Sequence, residues 1–267
     1  MEEEKRGKQC KFTIDEEQQI IKEYQEGTGS TSLAKKYNTS ANTICKILQA
    51  YNIKRRTYKE ARNTHIKINI NSFKKEFESP EMAYWLGVMY SDGYLSCTRT
   101  YTNSFGIAVQ ESDKEWLEQF RDYLGYNGKI RIYTQVHGYN VGSQYAKLIV
   151  GNNEIVQDLK EWGVQEHKSL KPVHFPDTKY PLHFIYGYID GNGSIHKKNG
   201  TLFISGQKAI LQDIADYLQL PYHIYDDKTI GNLMFTVLGS KEIYKKILSI
   251  NSKYYLKRKK ELMLLNQ

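Results

Sequence analysis

Apolar and polar positions follow two different rhythms along this chain, and the change of rhythm divides it. From residue 12 to about residue 60 the apolar positions recur every three or four residues in short runs, the period of helices. Thr13 with Glu16 three residues on is a capping-box pattern, and Ile20, Ile21 and Tyr24 follow at helical spacing. Gly27 and Gly29 break that run. A second helix is expected from about Ser30 through Ala34 to Tyr37, and Ser40 can cap a third that carries Ile44, Ile47 and Leu48 on one face. Beyond residue 80 two apolar helices stand out. Period-two alternation follows the first at 104–109, 129–136 and 144–150, and the second at 202–205, 223–225 and 233–238. Helical patterns at 113–124 and 209–218 complete each half. The expected fold is α+β: a small all-α domain over 1–60, a polar linker over 61–80, and two pseudo-symmetric repeats of αββαββα type over 81–176 and 177–267.

The first domain has helix-turn-helix spacing. Leu33, Ala34 and Tyr37 on one helix can pack against Ile44 and Ile47 on the next, with Ala34 small enough for a close crossing. Asn38 sits in the sharp turn, where a residue that tolerates the left-handed conformation is needed. The outer face of the third helix then shows Ser40, Ala41, Asn42, Thr43 and Lys46, short polar residues of the kind that approach base edges in a major groove. Lys54-Arg55-Arg56 follows as a basic arm suited to phosphates or a minor groove.

The two apolar helices resemble each other. Residues 84–95 read Tyr-Trp-Leu-Gly-Val-Met-Tyr-Ser-Asp-Gly-Tyr-Leu, and residues 184–195 read Phe-Ile-Tyr-Gly-Tyr-Ile-Asp-Gly-Asn-Gly-Ser-Ile. Aligning Gly87 with Gly187 aligns Ser91 with Gly191 and Gly93 with Gly193. Small residues four apart share one helix face and let two backbones approach closely. Packed side by side, the pair would bring Asp92 and Asn192 together at one end. In the first sheet Lys129, Arg131, Tyr133 and Gln135 alternate with Ile130, Ile132, Thr134 and Val136, so one face is expected to be basic and polar and the other largely buried.

Composition adds direction. The net charge of +8 leans toward a polyanionic partner. Cys10, Cys45 and Cys97 are far apart and fit neither a zinc knuckle nor a disulfide framework, which suits a reducing, intracellular setting. No run approaches the roughly 18 apolar residues of a membrane span, and the N-terminus does not resemble a signal peptide. The 22 tyrosines read more simply as A/T-rich coding than as stacking surfaces. His137, His174 and His223 form no ligand-spaced pair. The lysine- and tyrosine-rich run 253–260 suits either phosphate contacts or an ordinary solvated helix face.

Trp85-Leu-Gly with Ser91-Asp-Gly, and Gly187 with Asp190-Gly-Asn-Gly-Ser194, resemble the paired motifs of single-chain LAGLIDADG homing endonucleases, over roughly residues 81–267. The resemblance implies a DNA-binding saddle and site-specific cleavage of double-stranded DNA with a divalent metal, usually Mg²⁺, by a monomer with internal two-fold symmetry. A mobile intron or phage genome would be the usual home. The metal ligands would be Asp92 and the residue at 192. Gln110, Lys114 and Lys168 would border the active site, with a second-half lysine somewhere in 257–260. Position 192 departs from the pattern, because asparagine can offer an oxygen but no charge. Asp190 is a poor substitute: two residues earlier on a helix it points roughly 200° away around the axis. Impaired or single-strand cleavage is therefore expected. The alternatives are a DNA-binding regulator without activity and an intron maturase of the same fold.

Overall fold

Of three short helices, the first and third start at side-chain caps. The Thr13 side chain accepts from the Glu16 N–H while the Glu16 carboxylate accepts from the Thr13 N–H at 2.8 Å, and α1 (Ile14–Gln25) follows. α2 spans Ser30–Lys36, and α3 (Ala41–Ala50) starts where the Ser40 hydroxyl accepts from the Thr43 N–H at 3.1 Å. Between them Asn38 takes a φ of 48°, the left-handed turn that the spacing requires. Ile20, Leu33, Ile44 and Leu48 are fully buried and form the small core that these helices share.

The computed structural model describes residues 11–57, 66–97, 102–136, 138, 140–166, 172–227 and 230–267. The chain divides into two compact units, Met1–Lys67 and Ile68–Gln267. The expected linker over 61–80 is therefore corrected from Ile68 onward. Phe73 is fully buried in the second unit, its carbonyl accepts from the Trp162 indole N–H at 2.8 Å, and the Asn69 N–H donates to the Leu124 carbonyl at 2.8 Å. A polar composition concealed one large apolar anchor.

The second unit contains α4 (Pro80–Ser91), β1 (Tyr94–Ser96), β2 (Ser104–Gln110), α5 (Lys114–Tyr123), β3 (Arg131–Thr134), β4 (Gln144–Gly151) and α6 (Asn153–Glu161). After these come α7 (Pro181–Asn192), β5 (Gly193–Ile195), β6 (Leu202–Gln207), α8 (Lys208–Leu218), β7 (Tyr222–Asp227), β8 (Ile230–Phe235), α9 (Val237–Ser249) and α10 (Lys257–Leu265). The two sheets have the same antiparallel order, β1-β2-β4-β3 and β5-β6-β8-β7. The fold is thus α+β, built from two repeats of one plan. The expected strand at 233–238 ends early, because the Thr236 hydroxyl accepts from the Gly239 N–H and caps α9.

α4 and α7 are largely apolar around their circumference, as helices enclosed by the rest of a unit tend to be. Met82–Tyr90 and Phe184–Asp190 are buried without interruption. Proline stands in the first turn of each, where its missing N–H costs nothing. Their contact is reciprocal: a Cβ on Gly87 would lie 2.0 Å from the Phe184 carbonyl oxygen, and one on Gly187 would lie 1.9 Å from that of Tyr84. Tyr84, Tyr186 and Tyr244 lie inside the unit, so part of the tyrosine excess is core. Among the described residues no helix is long and apolar enough to cross a membrane.

Candidate active site

The glycine contact that joins α4 to α7 also aligns their ends. Asp92 caps α4, its N–H donating to the Val88 carbonyl at 3.0 Å, while α7 runs through Asn192. A Cβ on Gly191 would lie 1.9 Å from the Ser91 hydroxyl oxygen and 3.4 Å from the Asp92 carboxyl carbon. The Asn192 side chain hydrogen-bonds the Tyr188 hydroxyl, which burial pushes up to about 12 and which the Asp92 charge pushes in the same direction. One carboxylate and one amide therefore meet beside a buried phenol. Among the described residues no group of three or more His, Cys, Asp or Glu side chains is placed to hold a metal. The donor set suits a hard, oxygen-seeking divalent cation only if a ligand such as phosphate supplies further oxygens.

Asp190 faces away from this junction, as helix geometry requires. Its Oδ2 accepts from the Tyr84 hydroxyl at 2.5 Å and the Leu256 N–H at 2.8 Å, and the Tyr84 oxygen accepts from the Trp116 indole at 2.8 Å. One hundred positions earlier, the Tyr90 hydroxyl donates to the Trp162 carbonyl. In each repeat this helix position holds a main-chain group beyond the helix that follows the sheet. Lys259, buried to 3% exposure, donates to the carbonyls of Ile189, Asp190 and Gly191 at 2.9, 2.6 and 3.1 Å. Its three protons thus cover the orphan carbonyls at the negative end of α7. Of the basic residues at 257–260, Lys259 is the one that reaches the candidate site. Lys260 lies over the Tyr255 ring at 3.6 Å, and Arg258 pairs with Asp113 at 3.0 Å.

Burial raises the Asp190 carboxyl to about 7, against the opposing effects of Lys259, the Tyr84 hydroxyl and the Leu256 N–H. The folded chain then keeps a proton that the unfolded chain releases near pH ~4. The contribution of Asp190 to stability therefore falls as pH rises from about 4 to 7. Lys259, lowered to about 8 by its own burial, stays charged through that window. Asp190→Asn keeps an oxygen for Tyr84 and Leu256 but removes the proton. Between about pH 4 and 7 the melting temperature of the variant relative to that of the parent is expected to rise with pH; a constant difference would remove Asp190 as the source.

Gln110 ends β2 and Lys114 begins α5, and the ion pair from Arg258 to the intervening Asp113 holds the turn between them. Lys114 lies 3.3 Å from Glu118 one turn on. Gln110 and Gln135 border one concavity, whereas Asn192 and Tyr188 line a separate cavity of 540 Å³ with Ser91 and Tyr94. Lys168 lies outside the described residues, as do Cys10 and His137. Sequence reasoning missed Gln207. In the strand registers Tyr94 faces Gly106 and Ser194 faces Phe203, which makes Gln207 the counterpart of Gln110. It lines the Asn192 cavity, and its side-chain oxygen accepts from the Val173 N–H at 3.0 Å. Register supplies this match, because the loops preceding the two strands differ in length.

On the first sheet Arg131 and Tyr133 share the outer face with Lys147 and Tyr145, and the two tyrosine rings stack at 5.5 Å. Lys129 precedes this strand and Gln135 follows it. The expected burial of the opposite face is corrected there: Ile132 is 40% and Val136 68% exposed, because β3 is the sheet's edge strand. In the first unit Asn42 and Lys46 are exposed on α3, whereas the Ser40 hydroxyl is engaged as the cap and lies 2.9 Å from that of Thr43. Lys54 and Arg55 are exposed. Arg56 corrects the expected three-residue arm. Its guanidinium stacks 4.1 Å over the Tyr24 ring and donates to the Gly27 and Thr28 carbonyls at 2.9 and 2.6 Å, so it closes its own unit.

No protein-family model matches the sequence, and no curated protein does. Solved structures do. A crystal structure of the LAGLIDADG meganuclease I-AabMI bound to uncleaved DNA is 14% identical, with a TM-score of 0.44 over 69% of this chain and 88% of that one. The homing endonuclease I-WcaI bound to its DNA recognition sequence is 10% identical, with a TM-score of 0.47 over 67% and 87%. The LAGLIDADG homing endonuclease I-GzeII in complex with a DNA target is 11% identical, with a TM-score of 0.47 over 69% and 87%. All three of these solved structures are of LAGLIDADG meganucleases or homing endonucleases held with DNA, and each is what this chain is similar to.

Proposed function

We propose that this chain is a site-specific, metal-dependent DNA endonuclease of the LAGLIDADG type, biased toward cutting one strand. One observation carries the reading: two helices are in reciprocal glycine contact, a Cβ on Gly191 would lie 3.4 Å from the Asp92 carboxyl carbon, and Asp92 and Asn192 both act on the Tyr188 hydroxyl. The Asp92 carboxylate and the Asn192 amide oxygen would hold Mg²⁺ together with phosphate oxygens of the bound duplex. When bound, that ion activates water and offsets charge at the phosphate. Asp92 supplies the charge of the protein's share of the site, Asn192 orients an oxygen through its bond to Tyr188, and Lys259 fixes the end of α7 from behind. Gln110, Lys114, Gln207 and Lys168 would border the scissile region. Arg131, Tyr133, Lys129 and Gln135 would lie along DNA on the first sheet. Asn42, Thr43, Lys46, Lys54 and Arg55 would add contacts from a helix-turn-helix unit.

The amide at 192 also favours a second reading, a DNA-binding regulator that no longer cuts. A supercoiled plasmid library with randomised inserts separates the two. With Mg²⁺ the full chain is expected to accumulate nicked circles ahead of linear product, and with chelator to do neither. Asn192→Asp is expected to lower the metal requirement by about tenfold or more and raise the ratio of linear to nicked product. Sequence-selective binding with no strand scission at any Mg²⁺ concentration would establish the regulator.

A further inference from the structure

The two sheets are built on one plan but carry opposite chemistry at equivalent positions. On the first outer face Ala108 faces Lys147, and Lys147 faces Arg131, so a pair of cations crosses the sheet. The shift that matches Gln110 to Gln207 matches Ala108 to Ser205. On the second sheet Ser205 faces Asn232, and Asn232 faces Tyr225. A tyrosine and an amide therefore stand where the first repeat has arginine and lysine. The adjoining row repeats the contrast: Phe203, Met234 and His223 lie side by side, where the first repeat has Gly106, Ile149 and, two residues before the strand, Lys129. Among the described side chains no lysine or arginine lies on the second outer face. Lys197 and Lys198 stand in the turn before β6, and Lys208 begins α8. Asn232, Ser205, Tyr225 and His223 are exposed on this face, with Phe203 and Met234 half-buried between them.

Resting on the DNA reading above, we infer that the two sheets divide the work of recognition. The first holds phosphates through Arg131, Lys147 and Lys129, and the second reads base edges of an A·T-containing half-site in the major groove, with Asn232 as its main reader. The chemistry of the second face supports this. The Ser205 hydroxyl donates to the Asn232 side-chain oxygen at 2.6 Å, which sets the amide plane. That oxygen keeps a second lone pair, and the amide nitrogen keeps its two donors. An amide so held matches adenine, accepting from N6–H and donating to N7, while Phe203 and Met234 offer apolar contact to thymine methyl groups. A face with no lysine or arginine among its described side chains gains little from the counterion release that drives contacts to phosphate, so its contribution depends on sequence.

The test is duplex selection by the full chain without divalent metal, followed by salt titration of the selected site. The double variant R131A/K147A is expected to weaken binding to all sequences alike and to reduce the slope of log K against log salt by up to about 1.8, from about 0.9 per phosphate contact. Asn232→Ala is expected to leave that slope unchanged and to lose roughly 5- to 150-fold of the preference at an adenine in one half-site only. The division is overturned if Asn232→Ala reduces the salt slope as the double variant does, or if both variants relax the same half-site equally. Failure to bind any duplex overturns the DNA reading itself, a result distinct from either.

Discussion

Alanine at position 187 is expected to destabilise the second unit by about 3 kcal/mol or more. The added Cβ would lie 1.9 Å from the Tyr84 carbonyl oxygen and 2.8 Å from its carbon. Neither atom belongs to a flexible side chain, so relief requires α4 and α7 to separate along the seam that both repeats share. Overpacked cores lose about 1–3 kcal/mol when side chains can adjust, and a backbone obstruction lies at or above the upper end. At about 2–4 °C per kcal/mol, the melting temperature should fall by roughly 6–12 °C. Gly231→Ala is the control, because its Cβ would meet only side-chain atoms at 3.4 to 3.5 Å, ordinary contact. A Gly187→Ala protein melting within about 2 °C of the parent would show that the seam is looser than this geometry.

Asp92→Asn is expected to reduce strand cleavage by at least about 100-fold while leaving the melting temperature and DNA affinity near those of the parent. Asn192 is neutral and Asp190 is turned toward Tyr84 and Leu256, so Asp92 supplies the negative charge at the junction. Loss of a residue that only orients a metal ligand already costs about 10- to 100-fold, and loss of a charged ligand should cost more. The amide keeps the shape of the carboxylate, which separates chemistry from folding. Nicking by Asp92→Asn at the parent rate would remove Asp92 from the reaction and, with it, the proposed site.

Much of this architecture is written locally. Thr13 with Glu16, Ser40 with Thr43, and proline in the first turns of α4 and α7 act within a few residues, and helix starts follow from them. The strand pattern beyond residue 233 misled because Thr236 can end a strand by capping a helix, and apolar alternation is blind to that competition. At the site, glycine spacing announced that two helices would touch, and Asp92 and Asn192 followed from the helix repeat.

By itself, then, the sequence determined the caps, the turn at Asn38, the paired small residues and the two-fold repetition, because each depends on separations of a few residues or on similarity between segments. Tertiary structure alone decided which cations face outward. Arg55 and Arg56 are adjacent and chemically alike, yet Arg56 closes over Tyr24 while Arg55 is exposed. Lys259 and Lys260 are equally basic, yet Lys259 covers the end of α7 while Lys260 lies on Tyr255. Partners such as Ile189 for Lys259 or Tyr84 for Asp190 lie many tens of residues away. Desolvation and hydrogen bonding at such contacts depend on which surfaces meet, and no local period encodes that.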